Sequence, residues 1–301
     1  MTARIVIVGS LNMDLVIRAP RHPQPGETLT GSAFLTIPGG KGANQAVAAA
    51  RLGAAVVMIG KVGQDAFGDA LRANLAGAGV EVEHVTRSTE ATGVALITVS
   101  AAGENTIVLA PGANAAVTPE DATGCADIIR QADALLLQLE VPLPAVQAAA
   151  EIAAAHGVPV ILNPAPAQPL PSSLLRHVTH LIPNEHEAAL LSGGRAHDPE
   201  TLARRVQALG PRSVVVTLGA AGALALDGDT ITHVPSFPVT VVDSTAAGDA
   251  FVAAFGVALS EGRPPAEAAR WGCAAGALAC TVLGAQPSLP RREAVARLVG
   301  G

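Results

Sequence analysis

The chain has 301 residues, half of them hydrophobic, and a formal net charge of −6. This length and apolar content predict a single large α/β domain over residues 1–301 with a sizeable core. The acidic balance, the absence of tyrosine and an aromatic content of 2% exclude the basic, base-stacking surface that nucleic-acid binding requires.

The first predicted strand is Ile5–Val8, an apolar run that ends at a glycine. Asn12 and Asp14 follow it and are separated by one residue, so an extended backbone places both side chains on the same side. In an open α/β sheet, ligands bind just past the carboxyl ends of strands. An amide beside an acceptor-only carboxylate suits vicinal hydroxyl groups, although an Asx turn explains the same two residues.

Two β-rich regions, at about residues 14–37 and 92–109, lack helical periodicity. The second contains a predicted hairpin whose strands are 94–99 and 105–109. These regions predict a small sheet separate from the main one, and a natural role for such a sheet is a lid over the site. Because open apolar sheet edges tend to be covered, we expect the lid to pair with a second copy in a homodimer.

A glycine-rich turn precedes an alanine-rich helix that is predicted to begin at Asn44 and to end at Gly53. Gly39, Gly40 and Gly42 allow the backbone to approach a ligand closely. The spacing is not that of a Walker A loop. A tight turn explains the glycines alone, but the neighbouring Lys41 and Asn44 favour a site for a polar ligand.

Between residues 55 and 217, predicted strands alternate with predicted helices. This alternation indicates βαβ units and a mostly parallel sheet with right-handed crossovers. The strands are 55–59, 134–139, 158–162, 180–182 and 213–217, and the helices are 67–78, 141–156, 185–191 and 199–209. Polar or glycine residues follow several of these strands and mark one edge of the sheet as the functional edge: Glu140, Asn184, Glu187, Thr217 and Gly219.

Three histidines, His177, His180 and His186, cluster around one predicted strand without a metal-binding spacing. We interpret them as surface or capping residues. The three cysteines are too scattered for a disulfide framework, which favours a reducing cytoplasm. No apolar stretch reaches the roughly 20 residues that span a bilayer, and the N-terminus lacks the features of a signal peptide.

Residues 243–249 lie between a predicted strand, Val239–Val242, and a predicted buried helix over 251–259. A strand that passes through small residues into a helix leaves unpaired N–H groups at the helix start, where the helix dipole also attracts anions. A carboxylate at this position, Asp249, would repel a phosphate unless it had a chemical task. General base is the task that fits best.

Several motifs together are typical of the ribokinase-like family of sugar and nucleoside kinases: GSLNMD at 9–14, GGKGANQA at 39–46, GEN at 103–105, PGANA at 111–115, QLE at 138–140, NPAPA at 163–167, TAAGD at 245–249 and GAQPS at 284–288. The chain resembles this family nearly end to end. The resemblance implies a three-layer αβα sandwich with a mostly parallel central sheet and a small β-sheet lid. It also implies ATP-dependent phosphorylation of ribose at the 5-hydroxyl.

The resemblance further implies a role for each matching residue. Asp249 would be the general base, and the backbone N–H groups of Ala246, Ala247 and Gly248 would form the anion hole. The pentose would be held by Asn12, Asp14, Gly39, Gly40, Lys41, Asn44 and Glu140.

The nucleotide would be bordered by Asn184, Glu187, Thr217, Gly219, Ala247, Gly248 and Cys273, with Glu187 organising Mg²⁺ through water. An activating K⁺ would be held by oxygens of Asp243, Thr245, Ala279, Val282, Gly284 and Ser288. Cys273 departs from the histidine or asparagine that many family members carry near the adenine.

Two other functions remain open on this sequence. A related kinase for deoxyribose, fructose or a nucleoside would share Asp249 and the anion hole but differ in its hydroxyl contacts. A non-catalytic sugar sensor is the other alternative, but it would need neither Asp249 nor Asn184 and Glu187.

Overall fold

The computed structural model describes residues 2–194 and 198–301. Within these ranges the strands are β1 (Arg4–Val8), β2 (Asn12–Arg18), β3 (Ala33–Gly39), β4 (Ala55–Gly63), β5 (Val80–Glu81), β6 (Val85–Ser88), β7 (Gly93–Val99), β8 (Asn105–Ala110), β9 (Ala134–Leu137), β10 (Val160–Leu162), β11 (His180–Leu181), β12 (Ser213–Thr217), β13 (Ala223–Asp227) and β14 (Thr230–Val234).

The helices in the same ranges are α1 (Lys41–Arg51), α2 (Ala66–Gly77), α3 (Pro119–Gly124), α4 (Ala126–Arg130), α5 (Leu143–Ala155), α6 (Ser172–Leu175), α7 (Glu185–Leu191), α8 (Pro199–Gln207), α9 (Ala247–Ser260), α10 (Pro265–Ala279), α11 (Ala285–Ser288) and α12 (Arg292–Gly300). Each of these helices is too short or too polar to cross a membrane.

The main sheet has the strand order β14-β13-β12-β11-β10-β9-β1-β4-β5, and β6 also pairs with β4. Neighbours from β12 to β5 are parallel, whereas β13 and β14 form an antiparallel edge. The parallel arrangement follows from the helices that connect successive strands and return the chain to the same end of the sheet.

Both faces of the main sheet are covered by helices. In β1, Ile5 and Ile7 pack into one hydrophobic cluster with residues of α1, α2, α9, α10 and α12, while Val6 and Val8 pack into another with α5 and α8. Alternate residues of a strand point to opposite faces, so an entirely apolar strand must be buried on both sides. The predicted α/β sandwich with a mostly parallel sheet is therefore confirmed.

A second, four-stranded sheet has the order β3-β2-β7-β8. It joins the main body directly, because only Gly9–Leu11 separates β1 from β2 and only Gly40 separates β3 from α1. We call β2, β3, β7 and β8 the lid sheet. Its outer part carries exposed apolar side chains, including Phe34 (62% exposed) and Val108 (65%).

The strand predicted at Val239–Val242 is wrong, because this segment belongs to neither sheet. Val241 and Val242 are 65% and 60% exposed. The Val242 N–H donates to the carbonyl of Cys280, at the end of α10, over 2.8 Å. The β-branched residues suit an extended backbone, but its hydrogen-bonding partner is the end of a helix rather than another strand.

His180 also differs from its interpretation as a surface or capping residue. It lies in β11, is buried, and packs edge-on against the Phe255 ring with 5.3 Å between ring centroids. Its Nδ1 atom has no hydrogen-bond partner among the described residues. Burial lowers the pKa of His180 from its ordinary 6.5 to about 4; to a smaller extent the charge of Asp227 raises this pKa and the charge of Arg212 lowers it.

We expect His180 to make the fold sensitive to acid. Because its folded-state pKa is lower than its unfolded-state pKa, stability is lost as the pH falls from 6.5 towards 4, by up to about 3 kcal/mol. His180→Leu should remove this part of the pH dependence of the unfolding free energy, measured by denaturant titration at several pH values. His177→Leu, three residues away, is the control and should leave it in place.

Candidate active site

The site is built where the start of α1 packs against the turn after β1. The Ala43 N–H donates to the Ser10 carbonyl over 2.9 Å, and the Gly42 N–H donates to Ser10 Oγ over 3.3 Å. A Cβ atom on Gly42 would lie 2.6 Å from the Ser10 nitrogen and 2.8 Å from the Gly9 Cα. Only glycine permits this approach, which brings Lys41 and Asn44 to the carboxyl end of β1.

Glu140, just beyond β9, joins the β1–β2 turn to α1. Its Oε2 atom accepts hydrogen bonds from Ser10 Oγ (2.5 Å), the Lys41 N–H (3.0 Å) and Asn12 Nδ2 (3.4 Å). Three donors to one oxygen fix the carboxylate. Asn12, Lys41 and Glu140, which the sequence places up to 128 residues apart, are therefore brought together.

Asp14 lies on the same strand as Asn12, at the start of β2, and its carboxylate packs against Gly39 of β3. It is only 9% exposed and accepts no hydrogen bond within residues 2–194 and 198–301. Burial, followed by the negative charges of Glu140 and Asp249, raises the pKa of Asp14 to about 7. A buried carboxylate without donors is suited to receive them from a ligand.

Asp249 lies in the first turn of α9 and is held by two amides of α1. Asn44 Nδ2 donates to its Oδ2 atom over 2.9 Å, and Gln45 Nε2 donates to its Oδ1 atom over 3.2 Å. Asn44 Oδ1 is buried and lacks a partner among the described residues, so it is available to accept a hydrogen bond from a ligand hydroxyl.

Burial raises the pKa of the Asp249 carboxyl, while the Lys41 charge and the amide donors of Asn44 and Gln45 oppose that increase. Burial of Lys41 by itself lowers the pKa of its ammonium group. The negative charges of Asp249, Glu140 and Glu187 outweigh burial, so the pKa of Lys41 is raised overall. Lys41 is therefore kept protonated among acidic groups. The site combines a buried base with a cation that reduces repulsion of an incoming phosphate.

The loop before α9 has the geometry of an anion hole. Ala246, the residue before the helix, has φ 60° and is the only non-glycine residue with positive φ among those described. This turn places the Gly248 N–H at the open end of a 14-residue helix, while the Ala247 N–H donates to the Ser244 carbonyl over 3.2 Å. Ala246, Gly248 and Asp249 line the same cavity of about 220 Å³, which Lys41 and Glu187 also border.

Asn184 and Glu187 form a capping box at the start of α7. The Glu187 N–H donates to Asn184 Oδ1 and the Asn184 N–H donates to Glu187 Oε2, both over 2.8 Å. Their spacing is thus explained in part by helix capping. Both residues nevertheless line the 220 Å³ cavity, where the other oxygen of Glu187 and the Asn184 amide group remain available. Burial raises the pKa of Glu187, with smaller opposing effects from the Asn184 N–H and Lys41.

A larger, mostly apolar groove of about 510 Å³ adjoins this cavity. Thr217, Ser244 and Gly248 line both spaces, which connects them through the anion hole. Other predicted nucleotide residues also line the groove, namely Gly219, Ala247 and Cys273. The volume of the groove is therefore sufficient for a base and a ribose, and Gly248 lies where the groove meets the smaller cavity.

The predicted cation site lies beside the anion hole. Asp243 Oδ1 accepts from the Thr245 N–H (3.0 Å) and Thr245 Oγ1 (2.7 Å), and its Oδ2 accepts from the Gly284 N–H (2.8 Å). Burial raises the pKa of Asp243, but these donors outweigh burial and lower it overall. An ionised carboxylate next to the carbonyl-rich turn after α10 fits a hard cation.

The structure brings Asp243, Thr245 and Gly284 into contact, and the turn that carries Ala279 and Val282 is joined to them through the Cys280 carbonyl, which accepts from the Asp243 N–H over 3.2 Å. Ser288 instead uses its hydroxyl proton on the Ala285 carbonyl, over 2.7 Å. Its oxygen lone pairs remain available.

Four supporting residues have no assigned role in the sequence-based prediction. Ser10 holds Glu140, and Asn114 donates from Nδ2 to Asn12 Oδ1 over 2.7 Å. Gln45 holds Asp249, and Gln138 donates from Nε2 to Gln45 Oε1 over 2.6 Å. All four stand in the motifs quoted above, so the signal was present, but motif membership does not say which side chains meet.

Comparison with known proteins places the fold and the site in context. A family model described as "pfkB family carbohydrate kinase" matches residues 2–292. A ribokinase of Bacillus subtilis is 42% identical over 295 residues, covering 98% of this chain and 99% of the relative. A deoxyribokinase of Salmonella typhimurium is 39% identical over 256 residues, covering 83% and 84%. The solved structure of Arabidopsis thaliana ribokinase complexed with ribose and ATP superimposes with a TM-score of 0.93 at 36% identity, covering 100% of both chains.

Proposed function

The chain belongs to the pfkB family of carbohydrate kinases, as its sequence predicted, and we propose that it is a ribokinase that transfers the γ-phosphoryl group of ATP to the 5-hydroxyl of ribose. Two ribokinases are 42% identical to the chain over nearly their whole length, which supports this activity. The match to a ribokinase structure complexed with ribose and ATP supports it as well. The observation that carries the proposal is the buried Asp249 carboxylate beside the open N-terminus of α9.

In the proposed reaction, Asp249 accepts the proton of the sugar hydroxyl as its oxygen attacks the γ-phosphorus. The new P–O bond forms as the bond to the departing ADP breaks. The N–H groups of Ala246, Ala247 and Gly248 hold the charge of the transferred group, Ala247 by exchanging its hydrogen bond to the Ser244 carbonyl for one to the phosphoryl group. Lys41 adds a positive charge nearby. Positioning and charge neutralisation account for most of the catalysis of phosphoryl transfer.

The sugar would bind between the lid sheet and the end of β9. Asn12, Asp14 and Glu140 provide acceptors for its hydroxyl groups, and Asn44 Oδ1 provides another, while Gly39 and Gly40 let the backbone approach closely. This set holds vicinal hydroxyls in one orientation. The reactive hydroxyl then faces Asp249.

ATP would lie with its base in the 510 Å³ groove, beside Thr217, Gly219 and Cys273, and with its phosphates at the anion hole. Mg²⁺ would be organised by Glu187 through water, together with Asn184. When bound, the cation neutralises phosphate charge. A cysteine at 273 offers the base little hydrogen bonding, so we expect the groove to recognise ATP mainly by shape.

K⁺ would be held by the Asp243 carboxylate and by oxygens of Thr245, Ala279, Val282, Gly284 and Ser288. When bound, the ion would supply positive charge next to the anion hole. Asp243 and Thr245 also shape the loop that leads to Ala246. Occupancy of this site would therefore change turnover more than sugar affinity.

A coupled assay of ADP release tests these assignments. It uses ribose, deoxyribose, fructose and a nucleoside as acceptors, each with and without Mg²⁺ and K⁺. We expect the highest kcat/KM for ribose, an absolute requirement for Mg²⁺ and a faster reaction with K⁺. Release of ADP that does not depend on any acceptor sugar contradicts the proposal.

A deoxyribose kinase is the second candidate, supported by the 39% identity to a deoxyribokinase. The two activities share Asp249 and differ at one hydroxyl of the sugar. The ratio of kcat/KM for ribose and deoxyribose in the same assay separates them.

We also propose a homodimer formed through the lid sheet. Exposed apolar side chains on its strands would be covered by a second copy: Ile17, Phe34, Leu35, Leu96, Ile107, Val108 and Leu109. Light scattering at micromolar concentration should give twice the mass of the 30.0 kDa chain. Phe34→Glu should lower that mass towards one chain, and a monomeric wild type contradicts the proposal.

A further inference from the structure

Two buried glutamines form a chain of hydrogen bonds that ends on Asp249. Gln138, just after β9, donates from Nε2 to Gln45 Oε1 over 2.6 Å, and Gln45 donates from Nε2 to Asp249 Oδ1 over 3.2 Å. Gln45 and Gln138 are each 0% exposed. Neither side chain lines the 220 Å³ cavity or the 510 Å³ groove. Gln45 therefore contacts Asp249, and Gln138 contacts Gln45, without either glutamine lining the spaces proposed for the substrates.

The direction of these hydrogen bonds is determined by the carboxylate of Asp249. An ionised carboxylate only accepts hydrogen bonds, so Gln45 must turn its NH₂ group towards Asp249. Its carbonyl oxygen then faces Gln138, which must in turn offer its own NH₂ group. The remaining oxygen of Gln138 points at Gly9, where a Cβ atom would lie 2.1 Å from it, and it has no partner among the described residues.

Leaving a buried amide oxygen unpaired costs stability, so this arrangement calls for a compensating role. We propose that Gln45, oriented by Gln138, is a positioning residue that points one oxygen of Asp249 at the sugar hydroxyl and keeps the carboxylate in its base form. The inference rests on the proposed function and deepens it. Asn44 holds the other oxygen, so the two amides together set the plane of the carboxylate.

Other charges also act on Asp249, and replacing Gln45 or Gln138 by methionine does not change them. Lys41 of α1 favours its ionised form, whereas Glu140, Asp14 and Glu187 oppose it. Burial opposes it most strongly. Removing the Gln45 donor therefore shifts the balance in one direction, towards protonation of the base at neutral pH.

The test is the pH profile of kcat/KM for ribose between pH 5 and 9 in the wild type, Gln45→Met and Gln138→Met. In Gln45→Met the acid limb should move up by about 1 pH unit, because a donor to a charged group is lost. In Gln138→Met the Gln45 oxygen loses the donor that orients the Gln45 amide, so the hydrogen bond to Asp249 weakens and the acid limb moves in the same direction by a smaller amount. At pH 8.5 much of the lost turnover should return, and ribose affinity by calorimetry should stay within severalfold of the wild type.

Gln147→Met, on the outer helix α5, is the matched control and should reproduce the wild-type profile. A purely structural role predicts equal loss at every pH, and either that result or profiles that superimpose on the wild type would overturn the inference. Gln138→Met leaves both Gln45 and Asp249 in place, so it remains informative if Gln45→Met does not fold. A wild type that does not phosphorylate ribose refutes the proposed function instead, which keeps the two failures distinct.

Discussion

Asp249→Asn should lower kcat for ribose phosphorylation by about 10²- to 10⁴-fold, the usual contribution of a general base. The amide has the same shape but cannot take up the proton of the sugar hydroxyl. The proposed anion hole uses backbone N–H groups of residues 246–248, which this substitution does not remove. Nucleotide binding should therefore persist, and residual turnover should depend little on pH.

The measurement pairs a coupled assay with calorimetry for ribose and for an ATP analogue. Asp229→Asn, in the exposed turn between β13 and β14, is the control for a loss of one negative charge and should retain full activity. Near-normal turnover in Asp249→Asn would remove Asp249 from the role of base.

Asp14→Asn should weaken ribose binding and at the same time stabilise the free protein. Loss of a charged acceptor for sugar hydroxyls should raise the dissociation constant by roughly 10- to 100-fold. The raised pKa of Asp14, about 7, means that the folded protein disfavours its ionised form. The resulting loss of stability begins as the pH rises above the ordinary value of 3.8 and is complete above about 7, so a neutral amide should add up to about 4 kcal/mol at pH 8.

Calorimetry with ribose and denaturant unfolding at pH 5 and pH 8 test both parts. Asp65→Asn is a control in which the change in stability should have the opposite sign. Asp65 caps α2 and accepts hydrogen bonds from the Gly68 N–H (2.8 Å) and the Thr92 N–H (2.7 Å). Burial raises the pKa of Asp65, but these hydrogen bonds outweigh burial and lower it. Asp65→Asn should thus destabilise the protein at pH 8, and a similar destabilisation in Asp14→Asn would make Asp14 a structural residue.

The sequence was sufficient to predict the α/β fold because its strands are short apolar runs separated by amphipathic or alanine-rich helices. Polar residues directly after β1, β9 and β12 also predicted which edge of the sheet carries the site. The segment Val239–Val242 shows where this reasoning fails. Local composition favours an extended backbone there, but pairing in a sheet depends on a neighbouring strand that local composition does not reveal.

The supporting side chains show a second limit of sequence reasoning. Gln45 and Gln138 are 93 residues apart, and nothing in their spacing indicates that their amides meet. His180 was interpreted from its polarity, yet its position in β11 makes it a core residue. Conversely, the position of Asn184 and Glu187 after a strand and the family resemblance predict ligand binding, but the two residues also form a capping box.

The short connections between the lid sheet and the main sheet restrict how the lid moves. No flexible tether joins them at β1–β2 or β3–α1, where only Gly9–Leu11 and Gly40 intervene. Any swing of the lid must bend the backbone at these two joints, and Asn12, Gly39 and Lys41 are their immediate neighbours. A sugar bound to those residues would restrain both joints at once. Closure of the lid sheet over the site would then depend on the sugar that it encloses.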